Sequence, residues 1–265
     1  MFPLRDSIGT NRFPIVTLLL IVACSLVFLF EISRPTATLP DYYTGAPQHV
    51  SGFDRFTAEW GFIPCELLHR CNHPGRQELT TTDGDHESVY VRVPQHSGWI
   101  GLIAAIFMHG GWLHIVGDML FLWIFGNNVE DRMGRVRYLL FYLVCGVIAG
   151  LAQLLTGATS GVPNIGASGA IAGVLGAYLV LYPRARVLTA LTLLFFFAVV
   201  ELPAILLLGA WFVLQLLDGS AGLVQSGNSG DGVAYFAHVG GFAAGLLLVW
   251  PLVRGRPRRP EPEVA

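Results

Sequence analysis

The chain has little charge, and this shortage excludes most soluble folds. Only 13% of its 265 residues are charged, whereas 53% are hydrophobic. Soluble domains carry about 25% charged residues, so we expect a polytopic membrane protein. Lysine is absent and all 16 basic residues are arginine. The net charge of −2 carries no information about nucleic acid, and no nucleic-acid partner is expected. No cleavable signal is expected, because the first apolar run, 13–32, is too long and lacks a small-residue cleavage site.

Long apolar runs are plentiful, and each is a candidate membrane-crossing helix of about 20 residues. Two runs are too long for one straight helix, and each contains a break, at Gly110-Gly111 and near Pro203. We expect an interfacial segment before the first break and a membrane-surface or re-entrant piece before the second. This predicts six spans, numbered in order within the runs 13–32, 99–126, 138–155, 165–182, 187–217 and 233–253.

Arginines flank alternate ends of these spans, and the short loops 156–164 and 218–232 contain no basic residue. The positive-inside rule therefore places both termini in the cytoplasm and the long 33–98 loop outside. We expect a multi-pass protein of the cell membrane. Its predicted regions are a cytoplasmic tail at 1–12, a membrane domain at 13–253 that includes the external loop 33–98, and a cytoplasmic tail at 254–265.

Two polar side chains in apolar runs are candidate functional residues. Ser168 begins span four within Gly166-Ala167-Ser168-Gly169, and His238 lies in span six. Polar groups inside a membrane are costly and usually face a cavity or a partner. An imidazole is the usual base for a serine nucleophile, so the pair indicates a hydrolase site below the membrane surface. Alone, Ser168 would be read as an unreactive helix N-cap.

The expected topology brings several polar side chains to one depth. Spans two, four and six all run inward, so polar residues near their starts share the outer part of the bundle. From Ser168 to Tyr182, span four rises roughly 22 Å, against a hydrocarbon core of about 30 Å. Ser168 should therefore lie in a wet cavity below the outer surface. The residues that share this depth are His109, His114, Asp118, Ser168 and His238.

Small residues on spans four and six predict that these two helices pack closely. Gly169 and Gly173 on span four, and Gly241 and Gly245 on span six, have GxxxG spacing. Such glycines often only pack helices together, but here they lie beside both candidate reactive residues. The free N–H groups at the start of span four could also stabilise an oxyanion.

These motifs together resemble the rhomboid family of intramembrane serine proteases. The resemblance implies an all-α, six-transmembrane-helix rhomboid bundle with a long first external loop. It implies a serine endopeptidase that cuts single-pass transmembrane proteins within or next to their span, in the lipid bilayer, without metal or cofactor. The matching residues are Gly166, Ser168, Gly169 and Gly173; Ala237, His238, Gly241 and Gly245; His109, His114 and Asp118; and Glu130, Arg132 and Gly134.

The resemblance also assigns roles to individual residues. Ser168 would be the nucleophile and His238 the general base and then the acid. His114 would donate to the oxyanion together with the Ser168 N–H, and Gly166 belongs to the supporting serine motif. His109 would orient span two and hold its loop. Glu130 and Arg132 are expected to be structural.

Two departures from the family pattern affect this site. Asp118 stands where the family usually has an oxyanion-binding asparagine, so it is either protonated or pairs with His114 one helical turn away. We prefer an imidazolium–carboxylate pair that polarises His114. Ala172 stands where the family often has an aromatic residue stacked on the catalytic histidine, so another group must hold the His238 ring.

The cysteines allow three interpretations. A Cys65–Cys71 disulfide is the simplest in an oxidising exterior. The alternatives are unpaired thiols or a cramped zinc site that also uses His69 and His73. Cys24 and Cys145 lie in apolar spans and are expected to be buried packing residues.

Two other functions compete with the protease hypothesis. One is an intramembrane metallohydrolase with zinc ligands from His109, His114, Asp118 and His238. The other is a catalytically inactive rhomboid-like protein that binds transmembrane segments without cutting them. A transporter is less well supported, because no repeat or charged midplane pair is apparent.

Overall fold

The computed structural model of the protein describes residues 2–82, 88–94, 96–193, 196–224 and 234–255. Most of the expected C-terminal tail, 254–265, therefore lies outside the described residues. The helices are α1 (Ile15–Ile32), α2 (Gly52–Trp60), α3 (Pro64–Leu67), α4 (Gly98–Ala104), α5 (Trp112–Phe121), α6 (Asn127–Met133), α7 (Arg135–Thr156), α8 (Ser168–Leu181), α9 (Ala204–Val224) and α10 (Tyr235–Val253). The strands are β1 (Phe2–Asp6), β2 (Ala37–Pro40), β3 (Pro47–Val50), β4 (Arg76–Thr80), β5 (Ser88–Arg92), β6 (Arg186–Leu193) and β7 (Phe196–Pro203).

Most of the predicted spans correspond to long apolar helices. Among the described residues, α1, α7, α9 and α10 are long and apolar enough to cross a membrane. A bent pair, Gly98–Phe107 with Trp112–Met133, supplies a fifth candidate. Its break includes Gly110 and Gly111, as predicted. Helix α8 has only 14 residues, which agrees with the expected short span four.

The expectation of an all-α protein is incomplete, because the described residues also form seven short strands in three small sheets. The largest sheet has the antiparallel order β1-β6-β7, with Phe2 opposite Ala190 and Arg186 opposite Pro203. The 187–217 run therefore begins with a β-hairpin where we expected a membrane-surface or re-entrant piece. Its break is where predicted, since α9 starts directly after Pro203. Pairing between strands satisfies backbone groups that an irregular segment would leave without partners.

The described residues form two compact units. One lies within Met1–Val22, Val116–Ala152 and Ser168–Ala265, and the other within Ala23–Ile115 and Gln153–Ala167. In the second unit, the hairpins β2–β3 and β4–β5 pack with α2 around a small apolar core. The members of this core are Val50, Ala58, Leu79, Val91 and Val93.

The cysteine predictions are confirmed. Cys65 and Cys71 form a disulfide in the second unit. Because this bond uses both sulfur atoms, the alternatives of unpaired thiols and of a zinc site are wrong. Cys24 and Cys145 are both buried.

Two acidic residues anchor the N-terminal region of the first unit. The Glu130 carboxylate accepts hydrogen bonds from the backbone N–H groups of Val16 (3.0 Å) and Thr17 (2.8 Å), and from the Thr17 hydroxyl (2.8 Å). These N–H groups belong to the first turn of α1, where no intrahelical acceptor is available. Glu130 therefore caps the start of α1, which is a structural role as we expected.

Asp6 ends β1 and joins it to the helices. Its Oδ2 atom accepts hydrogen bonds from the Tyr178 hydroxyl (2.6 Å) and from the Asn128 amide (2.7 Å). Tyr178 lies on α8, so the carboxylate links the β1-β6-β7 sheet to the helix that begins at Ser168.

Candidate active site

Helices α8 and α10 approach each other closely because glycines line both contact faces. A Cβ atom on Gly241 would overlap the carbonyl oxygen of Gly169, and a Cβ atom on Gly245 would overlap that of Gly173. Any larger residue would therefore push the backbones apart. The predicted close packing of these two helices is confirmed.

This packing brings Ser168 and His238 together. The Nε2 atom of His238 lies 2.7 Å from the Oγ atom of Ser168. Both side chains are partly buried. Ser168 is the first residue of α8, so the N–H groups of the first helical turn lack intrahelical acceptors and carry the positive end of the helix dipole. The arrangement combines a hydroxyl, an adjacent imidazole and donors suited to a developing negative charge.

Two residues on α9 contact His238, and sequence reasoning predicted neither contact. The Gln215 Oε1 atom lies 2.6 Å from Nδ1 of His238. The Trp211 ring lies 5.9 Å from the His238 ring between centroids, with the planes 37° apart. The two residues are four apart on one helix and so share a face. The signal for Gln215 was available, because an amide in an apolar span needs a polar partner.

His109 and His114 lie together in the second unit. The Gly110 N–H donates a hydrogen bond to Nδ1 of His114 (3.3 Å), and the His109 ring packs edge-on against the His114 ring at 5.4 Å. The backbone N–H of the buried His109 donates to Glu31 (3.3 Å).

Gly166 and Asp118 are the other two residues that the sequence predicted for the site. Gly166 has φ +133°, a conformation that favours glycine, and its N–H donates to the Ala105 carbonyl oxygen (2.9 Å). Asp118 is partly buried on α5. Its pairing with His114 stays a prediction.

The described part of the chain contains no group of three or more His, Cys, Asp or Glu side chains placed to hold a metal ion. The metallohydrolase hypothesis therefore gains no support from the four ligands suggested for it, His109, His114, Asp118 and His238.

Comparisons with known proteins identify the family. Residues 96–255, more than half of the chain, match the family described as Rhomboid domain. Rhomboid-like protein 11, chloroplastic, of Arabidopsis thaliana is 32% identical over 163 residues, which cover 58% of this chain and 52% of that protein. Rhomboid protein 1, mitochondrial, of Saccharomyces cerevisiae is 32% identical over 157 residues, 57% of this chain and 41% of that protein.

One bacterial relative is named as a protease. Rhomboid protease GluP of Bacillus subtilis is 41% identical over 81 residues, which cover 31% of this chain and 15% of that protein. The chain spans about half or less of the length of these three curated relatives. Members of this family are generally intramembrane serine proteases, and some are inactive. The family match and the long apolar helices together show that this chain is an integral membrane protein that belongs to the rhomboid family.

Proposed function

We propose that this protein is an intramembrane serine endopeptidase that cleaves single-pass transmembrane proteins within or next to their membrane span. Ser168 is the nucleophile and His238 is the general base. The observation that carries this proposal is the 2.7 Å contact between His238 Nε2 and Ser168 Oγ. A serine hydroxyl becomes an effective nucleophile when an adjacent imidazole takes its proton.

The mechanism follows from this contact. Ser168 Oγ attacks the scissile carbonyl carbon while His238 Nε2 removes the hydroxyl proton. The N–H groups at the start of α8 stabilise the oxyanion, and loss of one such donor costs about 10²–10³ in rate. His238 then protonates the leaving amine and activates water for hydrolysis of the acyl-enzyme. The supporting roles of His114, His109, Gly166 and Asp118 remain predictions from the family resemblance.

We also propose a membrane arrangement. Six spans are formed by α1, the helix Trp112–Met133, α7, α8, α9 and α10, and the 33–98 loop is external. In Trp112–Met133 a π-helical segment, Leu122–Gly126, joins α5 to α6. The arginine distribution supports a cytoplasmic location for 1–12 and 254–265. We place the protein in the cell membrane, although two relatives carry chloroplastic and mitochondrial names.

The test uses the purified protein in lipid vesicles with a panel of single-pass transmembrane reporters. We expect cleavage by the wild type and none by Ser168→Ala. The matched control is Ser220→Ala, because Ser220 is an exposed serine on α9 whose hydroxyl donates to the Leu217 carbonyl oxygen. This control should cleave like the wild type. A folded Ser168→Ala variant that still cleaves would refute the proposal.

Inhibitors distinguish the competing functions. A serine-directed fluorophosphonate should abolish cleavage and label Ser168, while a metal chelator should have no effect. Chelator-sensitive cleavage without labelling would favour a metallohydrolase. Reporters that bind equally to wild type and Ser168→Ala but are never cut would indicate an inactive rhomboid-like binding protein.

A further inference from the structure

The imidazole of His238 has a partner on each ring nitrogen. Nε2 faces the Ser168 hydroxyl at 2.7 Å, and Nδ1 faces the Gln215 amide oxygen at 2.6 Å. Both distances are short enough for hydrogen bonds. Ser168, His238 and Gln215 come from α8, α10 and α9, so three helices converge on one ring.

The identity of the Gln215 atom determines where the ring proton lies. With the amide oxygen facing it, Nδ1 makes this hydrogen bond only if it carries the proton and donates it. A neutral imidazole has one N–H group, which leaves a lone pair on Nε2. This is the nitrogen that faces Ser168 and must accept its proton. The opposite tautomer would leave the amide oxygen without a donor and remove the base.

We propose that Gln215 is the positioning residue of the active site: its amide oxygen holds the Nδ1–H group of His238 and keeps Nε2 available to Ser168. Trp211, one turn earlier on α9, restrains the ring by lying beside it. Ala172 on α8 offers no aromatic ring for this purpose. The inference deepens the proposed function and rests on it.

A neutral amide suits this position inside the membrane. Serine hydrolases commonly use a carboxylate to orient the histidine, but a buried carboxylate carries a large desolvation penalty in an apolar span. Glutamine supplies the acceptor without a charge. Its position is maintained because α9 packs on α10 through Phe212, whose ring stacks on Phe242 at 4.6 Å.

A purely structural role is the competing explanation, because polar side chains also join membrane helices. Such a role would affect stability without selecting a histidine tautomer. Gln215→Met tests this, since methionine has similar length and no acceptor of comparable strength. Gln215→Glu keeps a carbonyl acceptor, because the same desolvation penalty favours the neutral, protonated form of the introduced carboxyl group. Leu217→Met is the matched control, because Leu217 is an exposed residue on the same helix.

The kinetic parameters of these three variants test the inference. Gln215→Met should lower kcat about tenfold, the upper range for one hydrogen bond, with KM changed less than about twofold. Gln215→Glu should recover kcat to within about threefold of wild type. Leu217→Met should match the wild type. Wild-type kcat in a folded Gln215→Met variant, or an equal loss in Gln215→Glu, would overturn the inference.

The tautomer itself can be measured by ¹⁵N nuclear magnetic resonance of histidine-labelled protein in lipid. The His238 signals, assigned by comparison with His238→Gln, should show a protonated Nδ1 and an unprotonated Nε2 in wild type. This measurement needs no Gln215 variant to fold, and a protonated Nε2 with a bare Nδ1 overturns the inference. The NMR measurement does not depend on cleavage activity, so its outcome is distinguishable from a failure of the proposed function. The proposed function fails if no reporter is cut, whichever ring nitrogen of His238 carries the proton.

Discussion

The glycine contact between α8 and α10 allows a test of the site that changes neither Ser168 nor His238. Gly245 lies seven residues after His238, roughly 10 Å further along α10. A Cβ atom there would overlap the carbonyl oxygen of Gly173, which is backbone and cannot rotate away. We therefore expect Gly245→Ala to push α10 away from α8.

The size of the effect follows from the geometry. The added carbon needs the two backbones to separate by roughly 1 Å to reach the closest distance that real Cβ atoms show. A comparable displacement at His238 would stretch the 2.7 Å contact with Ser168 beyond hydrogen-bond range. We expect overpacking to reduce stability by about 1–3 kcal/mol and misplacement of the base to reduce cleavage about 10²-fold.

The assay compares initial cleavage rates and thermal unfolding of the wild type, Gly245→Ala and Gly209→Ala in the same vesicles. Gly209 lies on α9, and a Cβ atom there would meet nothing within 4 Å. Gly209→Ala should therefore behave like the wild type. If folded Gly245→Ala cleaves at the wild-type rate, then close packing of α8 on α10 does not control the reactive contact.

Two further predictions concern acidic residues. Asp118→Asn should retain or raise cleavage, because an ionised carboxylate at a position expected to support the oxyanion opposes developing negative charge; an inactive but folded variant in the reporter assay would contradict this. Burial raises the pKa of Asp6 from 3.8 to about 6, against the opposing hydrogen bond from Tyr178. Because the folded state binds the proton more tightly, stability should fall as pH rises from about 4 to about 6, by up to about 3 kcal/mol. Asp6→Asn should remove this pH dependence, as measured by thermal unfolding and by hydrogen exchange of the β1–β6 amides, and a wild type that becomes more stable over that interval would refute the assignment.

Local sequence signals predicted the features that depend on neighbouring residues. Pro203 cannot continue a helix from the apolar run before it, and α9 starts directly after it. Glycines at GxxxG spacing predicted the close approach of α8 and α10. The short spacing of Cys65 and Cys71 made their disulfide the simplest interpretation.

Pairing between distant segments could not be predicted in this way. β1 pairs with β6 although Phe2 and its partner Ala190 are 188 residues apart in sequence. The 187–203 stretch is apolar and periodicity did not identify it as a strand, because short apolar runs are ambiguous between helix and strand. The β6–β7 hairpin and its pairing with β1 are therefore evident only from the tertiary structure.

Composition and spacing alone determined that this chain lies in a membrane and where its helices break. They also identified which serine and histidine are candidate reactive groups. Each of these properties depends on local hydrophobicity and chain stiffness. Only the tertiary structure decided which atoms meet. The rotation of α9 about its own axis brings Gln215 to Nδ1 of His238, and this rotation is set by packing against α10, which no single helix specifies.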